Sequence, residues 1–209
     1  MPALVLASLA FCSFAALGCD ERTKSALLGD YEPRLGDVIF QSLPRSELVD
    51  AIEGASKSPY SHCGLVVERN GVWFVLEANG PGVAEMKLDK WIRQGRESGF
   101  AVYRFTPNYQ PKIDALIAKA RTQIGKPYDI HYDFDDAKVY CSELIFKAFH
   151  GVTGEHLGQV RKLGDLDWKP HEGIIRKIER GGLPLEREMI TPGDMAAAKQ
   201  LQPVYRKGM

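Results

Sequence analysis

Neither sign of charge dominates this 209-residue chain, in which Lys plus Arg and Asp plus Glu both number 27. A balanced chain has no long-range field to gather nucleic acid or to draw the whole protein onto an anionic membrane, so recognition of a charged partner must be local. Cysteine is scarce, with four residues, which excludes a disulfide scaffold. The histidines other than His62 show no metal-ligand spacing with cysteine or carboxylate, so neither a metal nor a cofactor is expected. Phosphate loop, dinucleotide fingerprint, zinc-protease motif, internal repeat and low-complexity tract are all missing.

What is present is apolar material for one sizeable core: 44% of residues are hydrophobic and 26% charged, which suits a single domain. Residues 1–18 carry no charge and end in Ala15-Ala16-Leu17-Gly18-Cys19-Asp20, after which the chain turns polar. This reads as an export signal over residues 1–19. Small residues before Cys19 resemble a bacterial lipoprotein cleavage site, which implies lipidation of Cys19 and a membrane anchor in the cell envelope, facing the periplasm or the exterior. Simple secretion and an uncleaved anchor are the alternatives. Residues 20–34 read as a tether and residues 35–209 as the folded domain.

Leu35 to Phe40 reads as a strand, and a helix seeded at Pro44 follows and stops before Ser58-Pro59. Two apolar runs, Cys63 to Val67 and Val72 to Ala78, flank Asn70-Gly71, the strongest short hairpin signal. Further strands are expected near Val83 to Met86 and Phe100 to Phe105, with a helix around Leu88 to Arg96 between them. A helix opened by Pro111 should end at Gly125, and another should begin near Cys141. Residues 153–182 read as a polar surface excursion, and the chain should end in a short helix and an edge strand at Pro203 to Tyr205.

A two-residue turn at Asn70-Gly71 places Gly64 opposite Glu77 and His62 opposite Asn79. His62 and Glu77 then share a face as diagonal neighbours, roughly 7 to 8 Å apart at the backbone, within reach of a Glu side chain. Gly64 leaves that reach open. A carboxylate closing the apolar run Val72 to Leu76 is costly to bury unless something pairs with it, and a histidine so paired is fixed in tautomer with its other nitrogen free to take a proton. Asn79 is the rival for the orienting role, and His131 is the alternative base.

Cys141 falls at a helix start, where free amides stabilise a thiolate and a developing oxyanion. It also falls on that helix's apolar face with Leu144, Ile145 and Ala148, as a packing cysteine would. Cys63 follows His62 along a strand, so its side chain should point to the opposite face, away from the base. A bond between Cys63 and Cys141 would then require Cys141 to leave the His62 face, and none is expected.

Taken in order, Leu35-Gly36-Asp37-Val38-Ile39-Phe40, Ser61-His62-Cys63-Gly64-Leu65-Val66-Val67, Glu77-Ala78, Gly125-Lys126-Pro127-Tyr128-Asp129 and Tyr140-Cys141-Ser142-Glu143-Leu144 resemble the YiiX-like branch of permuted NlpC/P60 hydrolases. In ordinary papain-like enzymes the cysteine helix precedes the histidine strand, whereas here His62 and Glu77 precede Cys141, as circular permutation would give. The resemblance implies an α+β permuted papain-like fold, a mostly antiparallel sheet packed against helices. It implies a Cys141, His62 and Glu77 triad that cleaves an amide of a peptide or amino acid, such as one derived from cell wall, through an acyl-enzyme. Tyr128, Asp129 and Tyr140 match positions near the cleft, as substrate-contacting or helix-positioning groups. A thioesterase, acyltransferase or lipid-ester hydrolase is the alternative, for which Trp73, Trp91 and Trp168 could line an apolar cleft. A silent binding module is a third reading.

Overall fold

The structure, a computed structural model, describes residues 26–209. The expected export segment, with Cys12 and Cys19, lies outside the described residues, as does the first part of the expected tether. Contacts divide the chain into residues 1–32 and residues 33–209. In the first unit, residues 26–28 are helical, and everything below concerns the second.

Short, mostly apolar runs separated by turn residues build a six-stranded antiparallel sheet. Its strands are β1 (Val38–Gln41), β2 (His62–Arg69), β3 (Val72–Asn79), β4 (Gly82–Lys87), β5 (Phe100–Phe105) and β8 (Leu201–Lys207), in the order β4-β3-β2-β1-β5-β8. Asn70 and Gly71 both take positive φ, 53° and 75°, the backbone that a two-residue hairpin turn demands. The register that follows pairs Leu65 with Leu76 and Val66 with Val75. On the other side of β2, Gln41 of β1 pairs with His62. Every residue of β1 and the first six of β2 are buried, so the centre of the sheet is covered on both faces.

One face carries Val38, Phe40, Cys63, Leu65, Leu76 and Ala101 in a single core with Leu144, Ile145, Ala148 and Phe149. Those last four belong to α4 (Cys141–Thr153), which packs on β2 and β3 and beside α3 (Ile113–Arg121). The Pro111 region is a 3-10 turn that leads into α3, and α3 ends at Arg121, short of Gly125. The other face meets α2 (Leu88–Gln94), whose Leu88, Trp91 and Ile92 are buried.

Helix α1 (Glu47–Ser56) starts at Ser46, whose Oγ accepts from Val49 N at 3.2 Å, and stops at Lys57 in the left-handed region. The 153–182 stretch is more structured than its polar composition suggests. It contributes β6 (Arg161–Lys162), paired with β7 (Glu188–Met189), and α5 (Glu172–Ile178), and buries Leu157, Leu163 and Leu166. It packs back onto α1: Asp167 N donates to Ala55 O at 3.0 Å. Helix α6 (Pro192–Ala196) and edge strand β8 close the chain. No helix among the described residues is long and apolar enough to cross a membrane.

Candidate active site

The hairpin register brings His62 and Glu77 into contact: His62 Nε2 lies 2.5 Å from Glu77 Oε2, and both residues are buried. Gly64, opposite Glu77, has no room for a side chain unless Val75 moves. A methyl group there would lie 2.2 Å from Val75 Cγ1 and 3.5 Å from Glu77 Cβ. Asn79 does not compete for the imidazole, because its Oδ1 accepts from Gly80 N at 2.8 Å.

A third group joins them from α2. Trp91 Nε1 donates to the same Glu77 Oε2 at 2.8 Å, and its ring stacks on His62, with 5.7 Å between centroids and 27° between planes. The carboxylate is thus shared by two donors in a site closed to water, where each charge-assisted bond is stronger than at the surface. The sequence offers Trp91 only as a possible cleft lining. Its pairing with Glu77 depends on where α2 crosses β3, which no local pattern reports.

Cys141 opens α4, after Tyr140 in extended backbone, so the first amides of a 13-residue helix point past its sulfur. Nε2 of His62 is committed to Glu77, which leaves Nδ1 as the nitrogen for Cys141. The Cys141 thiol is held well below its ordinary range. The largest cause is the hydrogen bond that it accepts from the Cys63 thiol; burial opposes ionisation, while the bond from His62 and its charge favour it. For His62, burial lowers the pKa, but the bonds and charges of Cys141 and Glu77 outweigh burial and raise it to about 10. Both shifts favour the same ion pair, an imidazolium against a thiolate.

Cys63 departs from the sequence expectation. Its side chain does lie on the face opposite to His62, in the core beneath α4. Cys141, however, opens the helix that packs on β2, and both the His62 imidazole and the Cys63 thiol act on its ionisation. Strand parity places a residue on a face; it does not place a helix terminus that reaches round the strand end. Burial, and then the neighbouring Cys141, push the Cys63 thiol well up.

The start of α4 is fixed from the far end of the chain. Ile190 N donates to Tyr140 Oη at 3.0 Å, and Ser142 Oγ donates to Ile190 O at 2.7 Å. Tyr140 N donates to Glu143 Oε2 at 3.1 Å. Tyr140 is buried in the core and positions the helix. Asp129 is also buried, and its two oxygens accept from His131 N at 3.0 Å and Asp133 N at 2.6 Å. It shapes the loop that carries Tyr132, whose φ of 58° is left-handed.

Tyr128 is half-buried, and its hydroxyl donates to Tyr132 at 3.5 Å. Burial raises the pKa of both phenols, and the charge of Cys141 adds to the rise. Tyr132 lines the same cleft as Cys141. Tyr132 is a site residue that its loop position conceals in the sequence.

A cleft opens at Cys141 between α1 and α5. Leu48, Ile52, Leu163, Ile174, Ile175 and Met189 make its walls aliphatic, and Tyr132 joins them. At its polar rim Arg187 pairs with Glu179 at 2.5 Å, and His131 Nδ1 lies 3.1 Å from Glu179 Oε1. His131 is thus engaged in this rim cluster, while His62 meets Cys141.

Comparison with known proteins bears on the family and the fold. Residues 32–205 match the family described as permuted papain-like amidase enzyme, YaeF/YiiX, C92 family. The chain is 33% identical over 180 residues to the uncharacterized protein YiiX of Escherichia coli strain K12, covering 85% of this chain and 88% of that one. A crystal structure described as that of metalloprotein yiiX from Escherichia coli O157:H7 superposes with a TM-score of 0.79 at 32% identity, covering 85% of this chain and 99% of that one.

Proposed function

Because the chain belongs to the YaeF/YiiX family of permuted papain-like amidases, we propose that it hydrolyses an amide bond through an acyl-enzyme on Cys141. The observation that carries this reading is the buried hydrogen bond between Glu77 and His62, with Cys141 buried at a helix N-terminus where His62 acts on it.

In this reaction the Cys141 thiolate attacks the carbonyl carbon, and the oxyanion forms where the first α4 amides point. The His62 imidazolium gives its Nδ1 proton to the leaving amine as the C–N bond breaks. The neutral imidazole then takes a proton from water, whose oxygen attacks the acyl-enzyme, and Cys141 leaves as a thiolate with the acid as product. Glu77 keeps Nε2–H oriented throughout and stabilises the imidazolium. Tyr132, which lines the cleft with Cys141, contacts the acyl group, and Tyr128 supports it through the bond between their hydroxyls.

A second reading, hydrolysis or transfer of an ester- or thioester-linked acyl group, is favoured by the aliphatic walls of the cleft. Both readings use the same three residues and predict an apolar acyl part. They differ in the leaving group.

The related yiiX structure is described as a metalloprotein. Among the described residues of this chain, no group of three or more His, Cys, Asp and Glu side chains is placed to hold a metal ion. The donors among the described residues do not fit such a site, and the steps above rest on the chain's own side chains.

The uncharged leader and the small residues before Cys19 support export and a lipid anchor; the mass of the mature N-terminus tests both. For the chemistry, purified protein and Cys141→Ala are offered peptide amides, acyl amides and lipid esters of graded chain length. Turnover by the parent protein and none by the variant is expected, with a covalent acyl adduct on Cys141. Full activity of Cys141→Ala would overturn the proposal.

A further inference from the structure

Two walls of the cleft come from distant parts of the chain, and one guanidinium joins them. The first wall is α5, whose Ile174, Ile175 and Ile178 line the cleft although no residue of the helix is fully buried. The second is the loop that carries Tyr132. Between them stands Arg187. Its Nη1 donates to His131 O at 2.7 Å and to Glu179 Oε1 at 2.5 Å, and its Nη2 donates to Glu179 Oε2 at 3.2 Å. Its Nε lies 3.5 Å from Asp133 Oδ2. Glu179 is the residue at which α5 ends, and His131 and Asp133 are the neighbours of Tyr132 in the chain. The backbone of Arg187 is itself fixed, since Leu163 N donates to Arg187 O at 2.8 Å. One side chain therefore grips the end of one wall and both sides of the other.

We infer that Arg187 is a positioning residue that determines specificity: it sets the separation of α5 from the Tyr132 loop, and through it the grip of the cleft on an apolar acyl chain. The inference rests on the reading of this cleft as the acyl site of the proposed hydrolase. A guanidinium that received a substrate carboxylate would need free donors and uncompensated charge. Here three N–H groups are already in hydrogen bonds, and two carboxylates face one cation. The side chains of Arg187 and Glu179 are 16% and 14% exposed, so their bond is shielded from water and salt. By contrast, the tie of α5 to α1 through Lys177 and Glu47 joins side chains that are 74% and 73% exposed, and such pairs contribute little.

The loop depends on being held. Tyr132 takes a left-handed backbone, φ 58°, which a residue with a side chain keeps only where its surroundings impose it. Asp129 captures the amides of His131 and Asp133, and Arg187 captures the His131 carbonyl, so the turn is fixed through donors and acceptor alike. A lysine at 187 would carry the same charge without the planar fork that reaches several partners in fixed directions.

The full chain carrying Cys141→Ala is titrated calorimetrically with straight-chain primary amides from butyramide to decanamide, so that binding is read without turnover. Each methylene buried between the walls should raise affinity about fourfold. With Arg187→Lys added, the walls part and one side of the acyl chain stays wet, so the increment should fall to about twofold per methylene. Glu179→Gln frees α5 alone; it should lower the increment likewise, and it decides the matter where Arg187→Lys fails to fold.

General loosening of the fold lowers every affinity by one common factor and leaves the increment intact. An intact increment in a folded variant therefore overturns the inference, as does the lack of any increment before Arg187 is changed. Because the readout is binding, a parent protein that cleaves no amide while the increments behave as stated discredits the hydrolase reading alone. A parent protein that cleaves acyl amides while the increment ignores Arg187 discredits the specificity role alone.

Discussion

His62 and Trp91 lie ring against ring, 5.7 Å between centroids, and both meet the same oxygen of Glu77. The carboxylate that holds the proposed base is therefore itself held from the opposite element, and its charge is divided between two donors. In the proposed mechanism Trp91 is a positioning residue.

Trp91→Phe keeps a stacked ring and removes only the N–H. A bond to a charged acceptor contributes about 1.5 to 3 kcal/mol, and part of that is lost in orientation, so kcat should fall about tenfold with KM little changed. Freed of its second donor, Glu77 holds the imidazolium harder, and the alkaline limb of the pH profile should move upward. An unchanged profile would reduce Trp91 to packing.

The ion pair gives a second prediction. The alkaline limb of kcat/KM should fall near pH 10, where His62 loses its proton, and the acid limb well below the ordinary thiol range, where Cys141 gains one. The two limbs belong to the pair as a unit. The same shift acts on stability. The folded pKa of His62 is raised from 6.5 to about 10, so its contribution is full below pH 6.5 and is lost as pH rises through about 10. Glu77→Gln removes the negative partner, and it should lower the alkaline limb and weaken that loss in a pH series of thermal melts.

At Gly64 the expectation is steric. Gly64→Ala places a methyl 2.2 Å from Val75 Cγ1 and 3.2 Å from Leu76 O, and overpacking of this kind costs about 1 to 3 kcal/mol. Denaturant titration should show that loss. Because the strands must part beside Glu77, turnover should fall even in molecules that remain folded. Stability within about 0.5 kcal/mol of the parent protein, the range of ordinary surface changes, would show that Val75 yields freely.

Tyr140→Phe leaves the buried Ile190 N–H without its acceptor, at a cost of about 1 to 3 kcal/mol. Chemical denaturation should register the cost, and alkylation of Cys141 by iodoacetamide should slow as the helix start loses its anchor. An unchanged alkylation rate would mean that Ser142 alone holds α4.

Ile175→Glu places a charge in the aliphatic wall of the cleft. For a long-chain acyl substrate, KM should rise about tenfold or more, since desolvation of the charge opposes apolar burial. A short acyl substrate should be nearly unaffected. Equal effects on both would move the acyl group out of this cleft.

Much of the sheet can be read directly from the chain, because strand parity and turn chemistry are local rules. Asn70-Gly71 sets the hairpin, the hairpin sets the register, and the register carries Glu77 to His62. The same rules are silent about crossings between distant elements. Trp91 finds Glu77, Ile190 finds Tyr140 and Ser142, and Cys63 finds Cys141 only once helices are laid on the sheet. The 153–182 stretch shows the limit most plainly. Its few apolar residues lack a period, yet Leu157, Leu163 and Leu166 are buried, because a short element needs only one or two anchors when a neighbour supplies the rest of the core. Tyr132 escapes for a related reason: its left-handed backbone is imposed by the amides that Asp129 captures.

The hold of Ile190 on Tyr140 and Ser142 bears on how this protein is made. His62, Glu77 and Cys141 all leave the ribosome long before residue 190 does. A nascent or truncated chain ending near residue 180 therefore contains every group of the proposed chemistry and lacks the tie that seats its nucleophile. The proposed competence thus depends on the last portion of the chain, and loss of Ile190 by premature termination or clipping is expected to disarm the protein while leaving its proposed reactive residues intact.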